Sequence, residues 1–421
     1  MKIICEPSAT QNIPATDDST RVCLYGRDTG RNVISVGAAI AEDIRKLGIR
    51  PDPKALDLLS IALSVIAADF SVQRKKSPDG WTRELSLVIA LKDATAWRSF
   101  QNDIAAMLQF LTTDIWSISF EESSFTIPPN GSEKLYDNDC ISLLSGGADS
   151  LVGAIDLVEA KYNPLVVSQT VHGDGEKQGE FAQLIGGGLT HIQFNHNAKG
   201  EGPADRDQRA RSVIFLAYGT LLATTLQAYR EGKRITLYVC ENGFISINPP
   251  LTAARIGSLS TRTTHPVFLR RFQNLLDGVG LNVELKNPYQ YQTKGEMFAG
   301  CKNQDLLRST ASKSTSCSRF RRFGFQHCGA CVPCLIRRSA FHRWGEIDST
   351  SYKFGSLSTN TRHDDVLSMA MAIAGINADG LDGFIGTSLT SVLIDDPLPY
   401  NKVIKAGIGE VETFLRSAGV I

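Results

Sequence analysis

The chain has almost no net charge: 44 Lys and Arg residues balance 44 Asp and Glu residues over 421 positions. That balance removes the electrostatic footprint on which non-specific nucleic-acid binding depends, so direct binding to nucleic acid is not expected, although local basic patches stay open. Long apolar runs are scarce too. The best candidate for a membrane span, 212–229, contains Tyr218, Gly219, Thr220, Thr224, Thr225 and Gln227 between Arg211 and Arg230, and reads as a buried helix. The segment Met1–Lys2–Ile3–Ile4–Cys5–Glu6–Pro7 lacks the apolar core and small-residue cleavage site of a secretory signal. Nine cysteines in a chain of this size do not make a disulfide scaffold. These absences point to the cytoplasm and to no membrane partner.

The length exceeds one ordinary core, so about two or three structural units are expected. Residues 1 to 20 read as polar and irregular. Leu56, Leu59, Leu63 and Ile66 recur at helical spacing, Leu85, Leu87, Ile89 and Leu91 alternate as in a strand, Trp97 to Leu111 is amphipathic, and Ile115 to Phe120 alternates again. Together they predict an α+β N-terminal domain over 1–134, closed by the linker Pro128–Pro129–Asn130–Gly131–Ser132. Beyond it strands and helices take turns: Cys140–Leu144, a helix from Ser150, Leu165–Thr170, His191–Phe194, a helix from Arg211, and Ile235–Cys240. Such alternation predicts a parallel sheet covered by helices, in an α/β domain over 135–345, with 346–421 as a C-terminal extension. The glycine clusters Gly173–Asp174–Gly175 and Gly186–Gly187–Gly188 read as loops.

Within that domain the most informative stretch is Ser145–Gly146–Gly147–Ala148–Asp149–Ser150, placed between an apolar strand and a helix. Gly146 and Gly147 permit backbone angles that let an anion approach the main chain, and the first turn of the next helix presents amides and a positive dipole end to it. Ser145 and Ser150 add hydroxyl donors, and Asp149 can hold a magnesium ion that bridges phosphates. A plain strand-to-helix turn, in which Gly and Ser are also common, is the bland alternative. The spelling S-G-G-x-D-S resembles the PP-loop of ATP pyrophosphatases and departs from the Walker pattern, because no Gly-Lys-Ser/Thr follows the glycines.

A second constellation lies far downstream, where Cys317, Cys328, Cys331 and Cys334 form C-x10-C-x2-C-x2-C. Four thiolates close a tetrahedral zinc site and leave no open position, which makes the metal structural. An iron–sulfur cluster, a redox dithiol or unrelated buried thiols are the competing readings. Arg319, Arg321, Arg322, Arg337 and Arg338 lie close enough in sequence to offset the double negative charge of a zinc tetrathiolate. Cys5, Cys23, Cys140, Cys240 and Cys301 are scattered and read as core or incidental thiols.

The turn and the cysteine cluster together resemble the QueC family, the 7-cyano-7-deazaguanine synthases of the PP-loop superfamily. The resemblance covers about residues 137 to 345, including Arg337 after the last cysteine. Shorter echoes are Arg211–Ser212–Val213–Ile214, Val239–Cys240–Glu241 and Thr293–Lys294–Gly295–Glu296. In length and layout the chain looks like the QatC family, the QueC-like component of Qat anti-phage defence systems. The resemblance implies a Rossmann-like PP-loop sheet of the adenine nucleotide alpha hydrolase kind, with a zinc-binding subdomain and with ATP, Mg2+ and Zn2+ as cofactors. It also implies adenylation of a deazaguanine carboxylate and a partner protein from the same defence operon.

Under that expectation Ser145, Gly146, Gly147, Ala148, Asp149 and Ser150 cradle the leaving pyrophosphate. Lys294 supplies a cation near the α-phosphate or acyl oxygen, and Arg211 a second one at the nucleotide's edge. Glu241 and Glu296 orient the purine-like substrate, since a carboxylate accepts hydrogen bonds from a guanine-type edge. Two other readings stay open: a PP-loop enzyme that thiolates or amidates RNA, and a nucleotide-binding scaffold subunit.

Overall fold

A computed structural model describes the chain except for residues 8–18, 29–32, 171–172, 201–204, 206–207, 253–261, 358–363, 390–393 and 395, and the side chains of 386–389. Among the described residues, ten strands make two sheets. The first contains β1 (Lys2–Pro7), β2 (Ser19–Leu24), β3 (Val33–Val36), β4 (Glu84–Leu91) and β5 (Ile115–Glu122), in the order β3-β2-β1-β4-β5. The second contains β6 (Cys140–Leu143), β7 (Pro164–Gln169), β8 (His191–Phe194), β9 (Ile235–Tyr238) and β10 (Val283–Lys286), in the order β10-β9-β6-β7-β8. Every pairing in both is parallel. In each sheet the earliest strand is central and the order reverses beside it, the topology in which ligands bind at the carboxyl ends of the strands.

The expected helices and strands of 135–240 are present, with the helix after β6 spanning Ala148–Glu159 and the later one Arg211–Ala223. The N-terminal region differs from expectation in two ways. Its sheet is wholly parallel, so it is α/β and not α+β: the long helix Pro53–Ser71 and the short helices Ala94–Arg98 and Gln101–Thr112 return the chain to the same edge before β4 and β5. And Lys2–Pro7, read as irregular, is the central strand. Its apolar residues are few, but both neighbours cover them, so Ile3, Ile4 and Cys5 are fully buried. Residues 8–18 of that expectation lie outside the described residues.

Helix Pro53–Ser71 starts cleanly because Asp52 accepts the Lys54 amide at 2.8 Å and proline occupies the first turn. It is buried on nearly all sides because it packs against β2, β3 and β4 and also against helix Arg211–Ala223. That second helix is equally apolar for the same reason: protein surrounds it. No described helix is long and apolar enough to cross a membrane. A single apolar cluster therefore runs through both sheets, past the irregular stretch around Pro128–Ser132.

A buried charge network reinforces this junction. Arg83 bonds Asp69 and Asp114 (2.5 and 2.7 Å), Arg74 bonds Asp114 (2.6 Å), and Asp69 accepts the Ala210 amide (2.9 Å) at the start of helix Arg211–Ala223. Helices Asp364–Asp379 and Leu398–Ser417 pack on helix Val332–Trp344 around Leu335, Ile336, Met369, Ile404 and Ile408. Gly173 is in a turn, Gly175 opens helix Gly175–Leu184, and Gly186 to Gly188 form a tight turn with positive φ throughout.

Candidate nucleotide and metal sites

The Ser145–Ser150 turn joins the carboxyl end of β6 to helix Ala148–Glu159. Gly146 adopts φ 82°, which L-residues avoid, and this brings the chain round so that the helix start faces the sheet edge. Ser150 Oγ accepts the Ser145 amide at 3.1 Å and lies 3.0 Å from Ser145 Oγ, which in turn accepts the Gly147 amide at 3.2 Å. Both hydroxyls thus hold the turn's shape. The helix has no side-chain cap, and its first internal bond is Leu151 to Gly147, so the amides of Ala148, Asp149 and Ser150 have no intrahelical acceptor. Gln178, from helix Gly175–Leu184, supports the turn by donating to Ser145 O and Gln169 O.

Asp149 is buried and gathers three other elements. Its Oδ1 takes an ion pair from Lys294, its Oδ2 accepts Asn242 Nδ2 at 2.7 Å, and Glu241 shares a hydrogen bond with it. Burial by itself would raise this carboxyl, but the Lys294 ammonium and these hydrogen bonds outweigh it and hold Asp149 ionised. Glu241 moves the other way: burial and the neighbouring Asp149 charge push it well above the carboxylate range, so it carries the proton between them. Glu241 and Asn242 follow β9, which adjoins β6, and this brings them to the same sheet edge.

The four cysteines converge as expected. Cys317, Cys328, Cys331 and Cys334 are all buried, and their sulfurs lie within 4.8 Å of one another. The Cys317–Cys331 and Cys328–Cys334 separations are 3.9 Å each, close to the ~3.8 Å edge of a tetrahedron with zinc–sulfur bonds of ~2.3 Å. Backbone amides of Arg319 and Cys328 point at Cys317 Sγ, and that of Cys331 at Cys328 Sγ, as suits thiolates. The donor set fits zinc with no open position. Arg337 is fully buried and donates to neutral oxygens of Ala311, Ser314, Ser316 and Thr350, which places its positive charge beside the residue that precedes Cys317. The irregular segment leading into Cys317 touches the turn, because the Thr315 amide donates to Gly146 O at 2.9 Å.

The chain is similar to the 7-cyano-7-deazaguanine synthases. The synthase of Methanococcus aeolicus is 38% identical to it over 88 residues, which are 20% of this chain and 38% of that protein. Those of Brucella ovis and Brucella canis are 37% identical over 93 residues, 21% of this chain and 37% of theirs. The chain thus spans well under half the length of the curated relatives it matches. No family model matches it. No solved structure matches it significantly either.

Beside this QueC-like similarity, the remaining sequence-predicted residues separate. Arg211 opens its helix with an exposed side chain and no hydrogen bond or ion pair to the turn among the described residues. Glu296 belongs to a capping box: its carboxylate accepts the Thr293 amide at 2.8 Å while Thr293 Oγ1 accepts the Glu296 amide at 3.1 Å. That pairing engages Glu296 at the start of helix Lys294–Gly300, and T-x-x-E already spelled it. Three contributors escaped the sequence reading: Asn242, Gln178 and Lys177, whose ammonium bonds Thr315 Oγ1 at 2.8 Å. Asn242 was findable, since it follows a strand at the carboxyl edge beside β6.

Proposed function

We propose that this protein is an ATP-dependent C–N ligase of the QueC-like kind that adenylates 7-carboxy-7-deazaguanine. The observation that carries the reading is the S-G-G-x-D-S turn at the end of a central parallel strand, with uncapped helix amides and the Asp149–Lys294 pair beside it. Partial identity to 7-cyano-7-deazaguanine synthases supports the substrate class.

In this reading a substrate carboxylate oxygen attacks the α-phosphorus of ATP, the bond to the β-phosphate oxygen breaks, and pyrophosphate leaves into Ser145–Ser150. The amides of Ala148, Asp149 and Ser150 meet the charge that develops on it. Lys294 balances charge at the α-phosphate or acyl oxygen, and Arg211 screens the nucleotide's outer edge. With its one proton engaged by Asp149, Glu241 keeps acceptor capacity toward the guanine-type edge of the purine-like ring, and Glu296 stays assigned to that ring's recognition. An amine then attacks the acyl carbon and AMP departs. Asp149 is the carboxylate that would hold Mg2+, and the ion would neutralise phosphate charge. Zn2+ in the four thiolates would act structurally.

The amine is ammonia, giving amide and nitrile, or a group on a protein from the same operon in a Qat-type anti-phage system, within the cytoplasm. Incubation with ATP and 7-carboxy-7-deazaguanine, with and without ammonia and neighbouring-gene proteins, tests this by mass spectrometry. AMP, pyrophosphate and a nitrogen-bearing product or protein adduct are expected. Sulfur in the product, or no AMP under any condition, rules the reading out.

A further inference from the structure

The C-terminal helix Leu398–Ser417 reaches both arms that hold Asp149. Its Glu410 accepts the hydroxyl of Thr293, the cap residue of helix Lys294–Gly300, and also the amide of Gly295. The approach is close: a Cβ on Gly295 would fall 2.7 Å from Glu410 Oε1 and 2.7 Å from Arg343 Cγ. One turn earlier, Gly407 lies so near Phe244 that a Cβ would come within 2.4 Å of the ring. Phe244 belongs to the short helix capped by Asn242, whose amide group bonds Asp149. Two independent contacts therefore connect this helix to Lys294 and to Asn242.

From these contacts we infer that Glu410 is a positioning residue: it anchors the first turn of helix Lys294–Gly300 so that the Lys294 ammonium stays on Asp149, and it makes residues 398–417 part of the ATP site. The inference rests on the ATP-site reading above. Physically, Lys294 carries a long side chain with several free rotations, and an ammonium fixed against one carboxylate oxygen needs a fixed Cα. The capping box orients the helix start locally, whereas Glu410 ties it to a separate helix. A displacement on the order of 1 Å at this turn is enough to lower turnover by up to about a hundredfold.

Competitive amine labelling of the full-length protein, read by peptide mass spectrometry, reports the Lys294 contact without any substrate. Exposed Lys161 is the internal reference. In the unaltered protein Lys294 should label far more slowly than Lys161. In Glu410→Ala its rate should rise about tenfold, while Glu410→Gln, whose amide oxygen still accepts both hydrogen bonds, stays close to the unaltered value. Pyrophosphate release should follow, with kcat falling in Glu410→Ala, KM for ATP within about twofold, and kcat recovering in Glu410→Gln. Folded Glu410→Ala with unchanged Lys294 labelling overturns the inference. If that variant does not fold, Glu410→Asp decides: it keeps the charge but withdraws the oxygens, and unchanged labelling there is equally fatal. Lys294→Ala separates the two levels, because full turnover in it sinks the ATP-site reading, whatever the labelling of Glu410 variants shows.

Discussion

The two sheets share one strand order and differ at the same place. In both, the earliest strand is central and the order reverses beside it. At that edge of the first sheet, among the described residues, two amides just past β4 are already taken: Asp57 accepts that of Lys92 at 2.7 Å and that of Asp93 at 3.0 Å. Glu6 at the end of β1 is paired with Arg21 at 2.9 Å. At the same edge of the second sheet a glycine turn leads into an uncapped helix, and its first amides have no intrahelical acceptor. A doubly wound sheet provides the crevice, but only residues that leave donors unsatisfied make it a candidate for an anion.

The sharpest way to break this contrast is at Asp149. Asp149→Ala should abolish pyrophosphate release, a loss on the order of a thousandfold. It should also cost about 3 kcal/mol of stability, because Lys294 would be left buried without its partner. Adding Lys294→Met should restore the urea midpoint and leave turnover absent. If the double variant turns over ATP, the second sheet's edge is no more a nucleotide site than the first's.

Next in size is the metal. Roughly one zinc per chain is expected, and Cys331→Ser should lose it together with most soluble protein, since metal binding contributes to folding. Because Thr315 docks on Gly146, any soluble fraction should also bind ATP more weakly. Elemental analysis and nucleotide titration check both; iron with sulfide would replace zinc in the reading.

A glycine pair gives a matched comparison. Gly146→Ala forces an alanine to φ 82° in the turn and should slow turnover about tenfold or more. Gly37→Ala, at φ 79° just past β3 of the first sheet with Leu63 Cδ1 2.7 Å from the new Cβ, should destabilise by about 1–3 kcal/mol and leave turnover of the folded protein unchanged. Equal losses of turnover in both variants would erase the distinction.

The smallest effect concerns pH. Burial pushes Asp57 up to about 6, above its ordinary value, despite the two amides. Its folded form therefore binds a proton more readily than its unfolded form. The stabilisation this contributes is complete below the unfolded carboxylate value and lost as pH rises through about 6. Urea unfolding between pH 5 and pH 7 should show a decline on the order of 1–2 kcal/mol that Asp57→Asn removes.

Much of the fold was legible where burial writes a period into the chain. Leu56 to Ile66 announced a helix, Leu85 to Leu91 a strand, and β6 to β9 alternated openly with helices. The unreadable strands were short and charged. Lys2–Pro7 owes its burial to neighbours on both sides, and Val283–Lys286 is a four-residue edge strand with two charged residues. Arg211–Ala223 resembled a membrane span because a helix between two sheets meets apolar protein all round, much as it would meet lipid. At the candidate site, T-x-x-E around Glu296 reads equally as a helix start and as a ligand, while Asn242 was signalled only by its place after a strand and not by any spacing of its own.

The amino-acid sequence by itself determined the glycine turn between strand and helix and the four-thiol set, since both are written in residues close together in the chain. Only the tertiary structure decided what stands beside Asp149. Lys294 is 145 positions away and Asn242 is 93, and they meet it because β9 lies next to β6 and because helix Leu398–Ser417 backs both arms. Contacts over such distances depend on strand order and packing, which local spacing does not encode.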